Sequence, residues 1–188
     1  MVGRVRCVEE TATQMLCGSS GENGPYIWGG FDAMKVISYK NNNAPENASR
    51  PMSATAAGFV PGSGAGALLL ESLESAEARG AKIYAEVLGG AINSGGHRGE
   101  GSMTAPNNIA VQRCIASAIK NAGIEADEVD YINGHLTATV KDPVEISNWV
   151  AALGRKGDDF PYINSLKGMT GHCLAASGSI EAVSTVLQ

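Results

Sequence analysis

Short apolar runs of strand length alternate along this chain with stretches of helical periodicity, and that alternation limits the fold more than any other feature. Ala67–Leu70 follows a set of closely spaced glycines and reads as a strand ending at Glu71. Glu71–Arg79 then reads as a short exposed helix stopped by Gly80. Ile83–Leu88 alternates and reads as a further strand. Val111, Ile115, Ala118, Ile119 and Ala122 recur at helical spacing ahead of Gly123, which predicts an amphipathic helix over Ile109–Ala122. A strand at Val129–Asn133, a helix at Glu145–Leu153 and a strand at Pro161–Ser165 follow. A glycine-bearing turn at Lys167–His172 then opens a final helix running to about Leu187. Strands interleaved with helices in this way predict an α/β fold of mixed, largely parallel sheets covered by helices.

The 188 residues suffice for one domain or two small ones with a real core. Hydrophobic residues make up 44% and charged residues 18%, the balance of a chain that folds rather than one that stays disordered. Fourteen Lys and Arg against nineteen Asp and Glu give a net charge of -5, and no basic run stands out, which argues against nucleic acid as a partner. No apolar stretch is long enough for a membrane span, and the N-terminus puts acids where a signal peptide would have its apolar core. Cys7, Cys17, Cys114 and Cys173 are far apart with no paired spacing, and the three histidines have no ligand spacing around them. These patterns speak against a zinc site and for free thiols in a reducing, cytoplasmic setting.

Glycine is over-represented, with 24 residues, and its clusters mark turns and active-site loops. Pro61–Gly66 superficially suggests a phosphate loop, but the strand after it supplies no helix N-terminus for an anion. Asn41–Arg50 reads as a polar surface loop, and Gly89–Asn107 as a long loop rich in Gly, Ser and Asn, the kind that often carries function. Within it His97 sits beside Arg98 and reads as solvated surface.

Two histidines lie elsewhere. His135, in YINGHLTAT, falls just past the carboxyl end of a strand, where open α/β sheets place their ligand crevice, with Thr137 and Thr139 offering hydroxyls on alternate residues. His172, in NSLKGMTGHCLAASG, is again past a strand and at the expected start of a helix. A helix N-terminus disfavours imidazolium, so a neutral ring could donate a hydrogen bond to a carbonyl becoming an enolate. Lys167 adds a fixed positive charge in the same segment.

Together SRPMSATAAGFVPGSGAGALLLES, YINGHLTAT and NSLKGMTGHCLAASG resemble, in order and spacing, the motifs of the β-ketoacyl-acyl carrier protein synthases of the elongating, Cys-His-His type. The resemblance runs over nearly the whole sequence and implies a partial, thiolase-like layered fold: residues 1–85 end the N-terminal half, and 86–188 begin the C-terminal half with both histidine motifs. It implies decarboxylative condensation of malonyl carrier protein with an acyl group, in fatty-acid or polyketide assembly. His135 and His172 would hold the thioester carbonyl as carbon dioxide leaves, and Lys167 would set the electrostatics of the pocket. Thr137 and Thr139 would hydrogen-bond the phosphopantetheine arm of acyl carrier protein, with no permanently bound cofactor. A homodimer is the family's expected assembly.

Three positions depart from the family pattern. Leu136 replaces the glycine that usually follows the first histidine, Asp142 comes seven residues after that histidine instead of eight, and Ser63 stands in place of an acid. The resemblance also implies a nucleophilic cysteine upstream of residue 1 and a glycine-rich closing segment beyond Gln188. None of the four cysteines sits in the nucleophile's context, although Cys173, beside His172 at the expected helix start, would be the candidate for a replacement. On this reading the isolated chain does not condense. The alternatives are a non-catalytic partner of a complementary subunit, or a truncated remnant with exposed apolar surface and open strand edges.

Overall fold

The computed structural model describes residues 12–95 and 107–188; Cys7 and His97 lie outside the described residues. The chain forms two compact units, one from the described residues of 12–22, 63–86 and 173–188 and the other from those of 23–62 and 87–172.

The first unit is built on an antiparallel pair of eight-residue strands, β1 (Gln14–Gly21) and β2 (Gly64–Glu71), in register from Gln14 opposite Glu71 to Gly21 opposite Gly64. Helix α6 (Ser177–Leu187) lies on one face of the pair. Its approach is close because Gly66 has no side chain: a Cβ there would lie 2.7 Å from the Ser179 carbonyl carbon. Ser19 and Ser179 hydroxyls meet at 2.7 Å beside that contact. Helix α2 (Leu73–Ala78) follows β2, with the Ser72 hydroxyl capping it by accepting from the Ser75 amide at 3.4 Å. Arg79 then turns back to pair with Glu71 at 2.6 Å, and the Glu71 carboxyl is held down at about 2, chiefly by that guanidinium.

In the second unit, β3 (Tyr131–Asn133) and β4 (Tyr162–Asn164) run parallel, with Asn133 opposite Asn164. Helix α3 (Asn108–Ala122) is capped at its start by the Asn107 side chain and at its end by Gly123 at φ 69, as the glycine after the periodic run predicts. It packs on α4 (Asp142–Leu153), and an amide ladder through the buried Asn148 ties the two: Gln112 donates to Asn148 at 2.9 Å, and Asn148 donates to Asn108 at 3.1 Å. Helix α1 (Pro25–Ala33) buries no residue fully, whereas Ile37 and Phe59, joined by a parallel bridge, sit in the core with Ile115, Ile132, Leu136, Ala138 and Leu153.

Three sequence expectations need correction. Residues 83–88 form no strand: none of the described residues pairs with them, and Ile83, Tyr84, Val87 and Leu88 are all at least half exposed. An alternating pattern becomes a strand only where a neighbouring strand completes the ladder. Largely parallel, mixed sheets were expected, but among the described residues there are two separate two-stranded sheets, the longer antiparallel and the shorter, of three residues, parallel. Finally, Lys167–His172 is no simple turn leading into a helix. Lys167–Thr170 is itself a helical turn, α5, and α6 starts only at Ser177, after a 3-10 turn at Leu174–Ala176.

Candidate active site

The site lies wholly within the second unit, at the carboxyl ends of its two parallel strands. Because β3 and β4 are adjacent and in register, the segments leaving them start side by side, and the Gly134 amide donates to the Asn164 carbonyl at 2.8 Å. One segment carries His135, Thr137 and Thr139, and the other carries Lys167 and leads to His172. The imidazole rings of His135 and His172 meet edge to face, with centroids 4.9 Å apart and planes at 82°.

His172 is held by its backbone. Its amide donates to the Val60 carbonyl at 2.7 Å, and its carbonyl accepts from the Gly62 amide at 2.9 Å, a bridge to the extended segment at Pro61. Gly171, at φ 67, makes the turn into this bridge, where a Cβ would collide with the Val60 carbonyl oxygen. The expected helix N-terminus is therefore absent at His172, and its neutrality has another origin. Burial holds the His172 imidazole down at about 4, with the Lys167 charge adding to the effect. His135 is pushed lower, to about 3, again first by burial and then by Lys167 and His172. His135 keeps part of its surface on solvent, but the ring lies among protein atoms that cannot replace the hydration of a cation. Phe59 is among those atoms for His172, edge-on at 5.0 Å, and Phe31 backs Phe59 at 5.1 Å.

Lys167 is 2% exposed at the start of α5. Ser165 joins its backbone to the histidine loop, accepting from the Lys167 amide at 3.3 Å and donating to the Leu136 carbonyl at 2.8 Å. From the other side, the Ser49 hydroxyl donates to the Lys167 carbonyl.

Two carboxylates on the first turn of α4 shape the loop between His135 and Thr139. Glu145 accepts from the His135 amide at 2.7 Å and the Leu136 amide at 2.9 Å. Asp142, 3% exposed, accepts from the amides of Thr137 at 2.9 Å, Ala138 at 3.1 Å and Thr139 at 3.4 Å, and from Met52 at 2.9 Å. Burial pushes the Glu145 carboxyl above its ordinary value, against the downward pull of those two amides and Lys167. The Thr137 and Thr139 hydroxyls lie 3.1 Å from each other.

All five residues expected from the sequence thus fall in one place, and the structure adds Glu145, Asp142 and Phe59. Glu145 escaped notice although its signal was present: an acid three residues after Asp142, at the start of a helix that follows a loop of otherwise unpaired amides. The described cysteines do not join this group on helix-terminus grounds. Cys17 lies in β1, Cys114 donates to the Ala91 carbonyl at 3.3 Å, and Cys173 is 2% exposed ahead of a three-residue 3-10 turn, which leaves it neither a helix N-terminus nor an open thiol. Chemically, the cluster can present two uncharged imidazoles to an oxygen gaining negative charge, with the charge of the buried Lys167 acting on both.

The sequence matches the family model for the β-ketoacyl synthase N-terminal domain over residues 8–76 and that for the β-ketoacyl synthase C-terminal domain over residues 84–188. Among curated proteins, it is 42% identical over 164 residues to the chloroplastic 3-oxoacyl-acyl-carrier-protein synthase I of Arabidopsis thaliana, covering 86% of this chain and 33% of that protein. It is 41% identical over 160 residues to 3-oxoacyl-acyl-carrier-protein synthase 2 of Rhizobium meliloti, covering 84% of this chain and 37% of that one. The chain therefore spans well under half the length of these relatives. Among solved structures, a β-ketoacyl synthase from Burkholderia phymatum aligns with a TM-score of 0.84 at 33% identity, over 96% of this chain and 42% of that one. A type II polyketide acyl-carrier protein in complex with its ketosynthase aligns with a TM-score of 0.82 at 38% identity, over 94% of this chain and 43% of that one. No helix of the described residues is long and apolar enough to cross a membrane.

Proposed function

The chain belongs to the β-ketoacyl synthase family, and from that premise we propose that His135, His172 and Lys167 form the enolate-generating side of a decarboxylative condensing site. The supporting observation is the pair of imidazoles in edge-to-face contact at 4.9 Å, both kept neutral by burial and by a buried lysine. In the proposed step a malonyl thioester binds with its carbonyl oxygen facing the two rings. The bond between the α-carbon and the carboxylate breaks, its electron pair passes into the thioester as an enolate, and carbon dioxide leaves. Each imidazole donates an N–H to the enolate oxygen, an interaction stronger in the transition state than in the bound substrate. A cationic imidazole would be apt to protonate the carbanion, so the depressed histidine values suit the step. The α-carbon then attacks an acyl thioester, and the thiolate departs.

Thr137 and Thr139 are proposed to hydrogen-bond the phosphopantetheine arm, and acyl carrier protein to be the partner that delivers it. The solved ketosynthase bound to an acyl-carrier protein supports that partner. The adjoining family matches over 8–76 and 84–188 support dividing the chain near residue 85. A homodimer and a cytoplasmic setting complete this reading.

Malonyl-pantetheine is the direct probe. Without an acyl thioester to attack, the enolate takes a proton from water, so the expected products are carbon dioxide and acetyl-pantetheine. Alanine at His135 or His172 is expected to slow their release by about a hundredfold, the scale of losing one donor to a developing oxyanion. Release by the folded chain at the rate of buffer alone would remove the proposal.

A further inference from the structure

From Gly134 to Thr139 burial alternates residue by residue, although no ladder imposes it. Gly134, Leu136 and Ala138 are buried, the last two with no exposed surface, while His135, Thr137 and Thr139 are exposed or half-buried. Every functional side chain of the loop is thus at an odd position and every anchored one at an even position. The anchoring is specific. The Leu136 side chain occupies the space over Gly134, where a Cβ would lie 2.8 Å from its Cδ1 and 2.9 Å from its Cγ. Its amide and carbonyl are both taken, by Glu145 and Ser165. Ala138 sits at φ 62, a conformation glycine adopts freely and alanine does not. Its amide reaches Asp142 and its carbonyl accepts from Gly58 at 2.9 Å.

Glycine at either position could make the same backbone bonds, and at Ala138 with less strain. What the alkyl groups add is packing that fixes the direction of their neighbours. We propose that Leu136 and Ala138 are positioning residues whose buried side chains set His135 and the Thr137–Thr139 hydroxyl pair on one face as a preformed clasp for an amide-bearing substrate arm. The identity of the arm rests on the function proposed above; the positioning does not. A pre-set pair spends less conformational entropy when a ligand binds, so loosening it weakens binding without removing any group that touches the ligand.

The test uses the full chain labelled for NMR, with pantetheine as the probe. In Leu136→Gly, amide exchange at Thr137 and Thr139 is expected to rise at least tenfold while α3 keeps its protection, and the His135 titration should move up from about 3 as the loosened ring gains hydration. Leu136→Met, which keeps the volume, should restore both, and pantetheine should bind Leu136→Gly several-fold more weakly than either. Should Leu136→Gly not fold, Leu136→Ala and Ala138→Gly carry the same measurements. Unchanged exchange at 137–139 with an unchanged His135 titration would overturn the proposal, as would acceleration spread equally into α3. Failure of the wild-type chain to bind pantetheine would count against the function instead, leaving exchange and titration to decide the positioning.

Discussion

The amides of His135 and Leu136 both donate to one carboxylate, that of Glu145, at 2.7 and 2.9 Å, so the side chain that orients the first histidine comes from the helix after it. Glu145→Gln retains one acceptor oxygen but turns an NH2 group toward the other amide. Two donors then face each other in a part-buried setting, which costs about 1 kcal/mol, the lower end of the range for a stranded donor. The expected result is a lower denaturant midpoint with unchanged slope, together with amide shifts confined to the 134–139 loop in the NMR spectrum.

Protonation of the two histidines should show in stability. Both rings titrate well below the ordinary imidazole value, near 3 for His135 and near 4 for His172. Between those values and about 6.5 the unfolded chain binds more protons than the folded one, so stability rises with pH there. Their contribution is complete above about pH 6.5 and is lost as pH falls through about 4 and then 3. Urea midpoints should therefore drop steadily from pH 7 to pH 5, and less steeply in a His135→Phe variant. A flat profile over that interval would contradict the neutral pair.

Much of this was legible in the sequence, and for identifiable reasons. Helix α3 announced itself through Val111, Ile115 and Ile119 on one face and a glycine at its end, because a helix satisfies its own backbone and needs only one apolar stripe. His135, His172 and Lys167 could be placed near one another because each follows a strand, and parallel strands bring their carboxyl ends together. Residues 83–88 misled because a strand is a property of a pair, and alternation in one segment carries no information about its neighbour. The histidine environment was legible in sign but not in cause: a helix terminus was expected, whereas burial against Phe59 and the charge of Lys167 act instead. Those depend on packing between segments more than a hundred residues apart, Phe59 against His172, which no local pattern encodes.

Asp142 gathers four amides from two segments, Met52 on one side and Thr137, Ala138 and Thr139 on the other. Met52 and Ala138 are both at positive φ, 62 in each case, and both donate to the same oxygen, Oδ2. The carboxylate thus offsets two backbone conformations that disfavour side chains. Asp142→Asn puts an NH2 group against two of the four donors whichever way the amide turns. The loss expected is at least about 2 kcal/mol, more than for Glu145→Gln, since two donors are stranded rather than one and the Asp142 side chain is buried. Equal losses in the two variants would mean that the second stranded donor contributes nothing.

Phe59 offers a way to separate packing from electrostatics at His172. The ring is 7% exposed and lies edge-on between Phe31 and His172. Phe59→Ala should cost about 3–5 kcal/mol, the usual loss for a buried phenylalanine. It should also admit water beside His172, and because burial is the first cause of that histidine's depressed value, the titration should climb from about 4 toward the ordinary range. Phe59→Leu keeps the site dry and should leave the titration near 4 despite a loss of stability. Were both variants to titrate near 4, Lys167 rather than burial would be setting the charge state of His172. The neutral pair would then depend on a single buried cation, and Lys167→Met would have to raise both histidines together.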